Sequence, residues 1–238
     1  MKRTMSRRAL LGAGLLTLAG VGGAGGYGVG LFLTEEPSLA GTAAPLPMAA
    51  TSEPGTTPTT PAPPPKQIVP DDTKALDKDD LEYRIREFTA TSVVRSDVRL
   101  KVPRDWGFTQ PDPPKIGRYT DPTSKRWIRI EAGFTIRRPP AESMAQRLTD
   151  LATVPAAQML SIKSSTVDPQ TKEATLVYTY VPENSLRYVI IRWVANHEGL
   201  CTFEIAVTGL PQDREAMEDI LDHAANSATR DDSPLRPS

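Results

Sequence analysis

The chain has 238 residues, of which 39% are hydrophobic and 24% charged, with a formal net charge of −1. A near-neutral balance excludes the strongly basic face that a nucleic-acid partner requires. One cysteine, Cys201, excludes an internal disulfide, so stability must come from packing.

The first forty residues read as an address label. Lys2, Arg3, Arg7 and Arg8 form a cationic front end, and Ala9 to Leu33 contains no charge. Cations before an apolar run stay on the cytoplasmic side while the run enters the bilayer. Ser6-Arg7-Arg8-Ala9-Leu10-Leu11 resembles the twin-arginine export signal, with Arg7 and Arg8 as its paired arginines. Nine glycines between Gly12 and Gly30 make the run long but weakly hydrophobic, a property of such signals. Two fates are open for residues 1–40. Ser38-Leu39-Ala40 is a small-x-small site suited to cleavage before Gly41. Alternatively the apolar run 9–33 stays as a spanning anchor, since roughly 20 residues cross the hydrocarbon core. A lipid anchor is excluded because no cysteine lies near the run.

Residues 41–80 are expected to be a disordered linker rich in Pro, Thr and Ala. Ten prolines fall between Pro37 and Pro70, with no aromatic among them. Such a stretch cannot bury enough surface to fold, and its Pro61 to Pro65 end favours an extended polyproline II rod. The acidic residues Asp71, Asp72, Asp77, Asp79 and Asp80 lack the spacing of a calcium loop and read as a solvated lead-in.

Residues 81–230 carry the periodicities of one globular domain, and 231–238 are expected to form a disordered tail. Strands are predicted over Glu82 to Ala90, Asp97 to Val102 and Arg126 to Arg137, the last with a bend at Gly133. Pro139-Pro140 opens a helix with Met144, Leu148 and Leu151 on one stripe. Four strands follow: Gln158 to Val167, Lys172 to Val181, Leu186 to Ala195 and Leu200 to Val207. The joints between them are too short for anything but antiparallel neighbours. Leu186 to Ala195 is apolar on both alternating faces, which predicts a central strand covered on both sides. A last helix runs from Pro211 to Ala228, with Met217, Ile220, Leu221 and Ala224 on one face. The order β-β-β-α-β-β-β-β-α predicts an α+β fold, an antiparallel sheet flanked by helices.

Val102-Pro103-Arg104-Asp105-Trp106, the meander Lys172 to Val207 and the closing helix together resemble the Mog1/PsbP-like α/β/α sandwich. The likeness runs from about Ser92 to Arg230 and points to its LpqN-type branch, exported proteins of actinobacteria. It implies a non-enzymatic binding or assembly factor with no catalytic residue to carry over.

The catalytic inventory is thin. His197 sits in a turn, and His223 in the last helix, off its apolar stripe; neither belongs to a zinc-binding spacing. Cys201 lies inside a strand, where cysteine is usually an inert buried residue. No phosphate loop, dinucleotide fingerprint or Gly-x-Ser-x-Gly elbow is present. No catalytic residue, metal or cofactor is therefore expected. Trp106 and Phe108, in the proline-rich loop Pro103 to Pro114, are the candidate binding residues, because rigid aromatic loops suit recognition. The expected function is an exported or membrane-anchored binding domain of the cell envelope, its partner an envelope protein or ligand and not nucleic acid. A carrier of a lipid or other apolar ligand is the alternative, and a hydrolase of unrecognised type the third reading.

Overall fold

A computed structural model describes residues 67–235. The export motif at Arg7 and Arg8, the apolar run 9–33 and the linker up to Lys66 lie outside the described residues. No helix among the described residues is long and apolar enough to cross a membrane.

The elements follow in chain order. They are β1 (Tyr83–Thr91), β2 (Arg95–Pro103), β3 (Gly107–Thr109), β4 (Ile116–Thr120), β5 (Trp127–Glu131), α1 (Pro140–Ala152), β6 (Ser161–Val167), β7 (Ala174–Tyr180), β8 (Arg187–Ala195), β9 (Cys201–Gly209), α2 (Arg214–Ser227) and β10 (Thr229–Ser233). The fold is α+β. All pairings are antiparallel, in two sheets ordered β1-β2-β10 and β3-β4-β5-β9-β8-β7-β6.

The two-faced reading of β8 holds. Val189, Ile191 and Trp193 pack with Met144 and Leu151 of α1, while Ile190 and Val194 pack with Met217, Ile220 and Leu221 of α2. The stripes predicted on both helices are the ones that pack. Pro140 takes the first helical position of α1, where its missing N–H leaves no bond unmade.

The arrangement differs from a plain sheet between two helices. The first two strands leave the main sheet and join β10 in a small sheet that lies beside α2. The strict alternation of β2, with Ser96, Val98, Leu100 and Val102 buried and their neighbours exposed, is the signature of an outer layer. Phe88 of β1 reaches across to the main sheet, and its ring lies where a Cβ on Gly117 would be, 2.7 Å from that position. Glycine is required there for the two layers to meet.

Three boundaries also differ. The strand predicted over Arg126 to Arg137 stops at Glu131, because Gly133 takes φ +82° and its carbonyl accepts from Val93 and Val94. The packed chain continues past Arg230, since β10 pairs with β2 from Thr229 to Ser233. It also begins before Leu81. Val69 N–H donates to the Asn184 carbonyl at 2.8 Å, Leu76 N–H donates to Asp213 at 2.8 Å, and the Leu76 side chain packs on the core. The acidic lead-in is thus partly docked: Asp71 pairs with Lys125 at 2.6 Å.

Candidate functional site

The two aromatic candidates part company. Trp106 follows β2 directly and turns inward, 3% exposed, into the cluster that holds Val102 and Leu100. It is core, and it offers no surface to a partner. The Val-Pro-x-x-Trp run does its work by anchoring the turn between β2 and β3. Phe108 is 42% exposed and sits in the middle of β3, the edge strand of the seven-stranded sheet. Its ring leans on Tyr119 at 4.9 Å and Phe88 at 5.8 Å, both tilted, so one face is supported and the other is presented. β3 is only three residues long and pairs on one side alone, which leaves backbone groups open for a further strand. Gln110 steadies the loop that follows by donating to the carbonyls of Thr89 and Pro114.

The opposite face of the same sheet edge is cationic. Tyr119 points into the core while Arg118 points away from it, and the register aligns Arg118 with Arg129 of β5. The guanidinium of Arg118 stacks on Trp127 at 4.5 Å, and that of Arg187 approaches the same ring at 6.0 Å. Further along the face, Glu204 accepts from Arg147 at 2.7 Å, from Trp193 Nε1 at 3.0 Å and from Arg129. Burial raises the Glu204 pKa, but the Arg147 and Arg129 charges outweigh it and hold the carboxyl well below its usual range. The sequence offered no signal for this cluster, because its two arginines are 57 and 75 residues from Glu204 in the chain.

The residues weighed for chemistry are not assembled. Cys201 is buried, its Sγ 3.4 Å from the Phe203 carbonyl, and burial, helped by the Glu204 charge, pushes its thiol up to about 12. His197 is exposed in the β8–β9 turn, with no hydrogen bond to Cys201. His223 stacks on Tyr83 at 3.8 Å, and Tyr83 donates to Asp219 at 2.6 Å. These contacts tie α2 to β1. Among the described residues no group of His, Cys, Asp and Glu could hold a metal ion.

The hollows on the surface of the described residues include one of about 190 Å³ between Lys101 and the Asp219 to Ser227 side of α2, and one of about 540 Å³ at Thr91, Arg95 and Leu235. Both are lined mainly by polar side chains, and neither supports the carrier reading.

With the layers in place, solved structures can be compared. The fold is similar to that of Mog1 and PsbP. The Ran-binding protein Mog1p of Saccharomyces cerevisiae aligns over 61% of this chain and 96% of its own, at 9% identity and a TM-score of 0.42. PsbP (CyanoP) of Synechocystis aligns over 61% and 91%, at 10% identity and a TM-score of 0.40. LpqN of Mycobacterium tuberculosis, involved in cell envelope biogenesis, aligns over 62% and 91%, at 15% identity and a TM-score of 0.35. Likeness at this level transfers no site. No known family profile and no curated protein matches the sequence.

Proposed function

We propose that this chain is an exported, non-enzymatic binding domain of the cell envelope that takes a protein partner at its β3 edge. The export reading rests on Ser6-Arg7-Arg8 and the uncharged run behind it. The binding reading rests on one observation: Phe108 stands 42% exposed on an edge strand paired on one side only, backed by two buried rings. A supported aromatic beside open backbone groups is the form that strand addition with an anchoring side chain takes. The buried thiol and the scattered histidines favour binding over catalysis.

The test is site-specific photocrosslinking in cells. A photoreactive residue replacing Phe108 in the full chain should give a discrete adduct with an envelope protein. The same residue replacing Lys163, on β6 at the far edge of the sheet, should not. Equal labelling at the two positions, or none at Phe108, removes the site.

A further inference from the structure

We infer that the Trp127 face is a second binding site, built to hold a phosphate group between Arg118 and Arg187. It lies on the other side of the sheet from Phe108 and stands or falls separately from it.

The geometry begins with Trp127. Two guanidiniums share its ring, at 4.5 and 6.0 Å from the centroid. Stacking holds planar guanidiniums in place, and arginine forks so held suit phosphate recognition. Two like charges near one ring repel each other, and an anion placed between them relieves that repulsion. The surrounding carboxylates are committed elsewhere. Glu204 serves Arg129 and Arg147, Glu131 serves Arg129 and Lys115, and Asp71 serves Lys125. Arg187 makes no ion pair with any of them. Its Nη1 donates to the Lys125 carbonyl at 3.0 Å, and its Nε is buried without an acceptor.

Two residues before Arg187, the Ser185 hydroxyl is likewise buried with no partner. A buried guanidinium N–H and a buried hydroxyl without acceptors, two residues apart on one strand entry, are expensive unless a ligand satisfies them. The guanidinium N–H can only donate and the hydroxyl can donate as well as accept, so one anion satisfies both. Tyr180 stands opposite Arg187 in the strand register, on the same face of the sheet. The ligand class is a phosphate or phosphate ester, taken by two forks and a hydroxyl.

The experiment is calorimetric titration of the full-length chain in non-ionic detergent, with inorganic phosphate and with glycerol 3-phosphate as separate probes. Saturable binding of either is expected, at roughly millimolar affinity or tighter. Tighter binding of the ester assigns the site to a phosphate carried on a larger molecule, and tighter binding of the free ion assigns it to phosphate itself. Arg187→Gln and Arg118→Gln should each weaken binding by about tenfold or more. Arg99→Gln, which removes one charge from the exposed side of β2, should stay within about twofold. Arg187→Lys keeps the charge but loses the fork, and should weaken binding nearly as much as Arg187→Gln. Near-ultraviolet circular dichroism confirms that each variant is folded. Binding of neither probe, an Arg99→Gln loss equal to that of Arg187→Gln, or native affinity in Arg187→Lys would overturn the inference.

Discussion

Arg126 grips Asp213 with two parallel hydrogen bonds, Nε to Oδ2 at 2.7 Å and Nη2 to Oδ1 at 2.9 Å. Asp213 has no exposed surface, and it also accepts from the backbone N–H of Leu76 and of Leu210. Arg126 in turn reaches Asp121 and the Lys74 carbonyl. One buried pair therefore joins the lead-in, the β4–β5 turn and the entry to α2. Removing one partner of such a pair leaves a buried charge uncompensated, at a cost of about 3–5 kcal/mol. Asp213→Ala should lower unfolding stability by that amount in urea titration. The double variant Asp213→Ala/Arg126→Met should recover part of the loss, because the guanidinium no longer lacks its Asp213 partner; the recovery stays partial because Asp121 then loses its own cation. A double variant no more stable than the single one would show that the pair does not act as a unit.

Glu204 makes stability depend on pH in a defined direction. Its folded carboxyl is lowered from the ordinary 4.5 to about 2, since the attraction of Arg147 and Arg129 exceeds the burial penalty. A depressed folded value contributes stability above the unfolded value and loses it as pH falls through the folded one. The native chain should therefore lose stability progressively from about pH 4.5 toward pH 2, by on the order of a few kcal/mol. Glu204→Gln should start less stable at neutral pH and show a flatter acid limb. Thermal melts between pH 6 and pH 2, at about unit steps, measure both.

Cys201 should be chemically silent in the folded state. Burial raises its thiol to about 12, so almost no thiolate exists at neutral pH. Iodoacetamide at about pH 8 should leave the native chain unlabelled and label it fully in urea. Fast labelling of the native chain would contradict the buried position.

Trp106 and Phe108 should separate stability from binding. Trp106→Ala opens a cavity in the core and should cost about 3–5 kcal/mol. Phe108→Ala removes a half-exposed ring and should cost no more than about 1 kcal/mol. Urea unfolding reads the first effect, and the loss of partner capture by a stably folded Phe108→Ala chain reads the second.

Arg7 and Arg8 should govern export. Replacing both with lysine keeps the charge but removes the paired guanidiniums, and should strand a reporter fused after Ser238 in the cytoplasm. Undiminished export of that variant would assign the front end to another route.

The β6–β9 meander of the main sheet was legible because its strands are contiguous in the chain. Tyr188, Ile190 and Val194 alternate with Val189, Ile191 and Trp193, and both sets pack as periodicity predicts. Periodicity could not divide the strands into two sheets, because that depends on partners far away in sequence, such as Arg99 opposite Thr229. β3 has three residues and β4 has five with Gly117 second, too short and too plain to register as strands. β10 is Thr-Arg-Asp-Asp-Ser, a polar run with no apolar alternation, held by pairing to β2 and by Ser96 donating to Asp232 at 2.6 Å. The candidate site was half legible. An aromatic loop was visible, but only tertiary packing separates the buried ring from the presented one. The cationic face was not visible at all, since Arg118, Trp127 and Arg187 meet only across strands.

The docked lead-in decides how the domain bears mechanical load. Any pull arriving along the chain from before Gln67 is met first by Val69 on Asn184, then by Asp71 on Lys125 and by Leu76 on Asp213. The last two contacts join the segment to the β4–β5 turn and the α2 entry, upstream of β1. Tension is thereby taken up by a partly buried clasp, and the small sheet is spared from being peeled strand by strand.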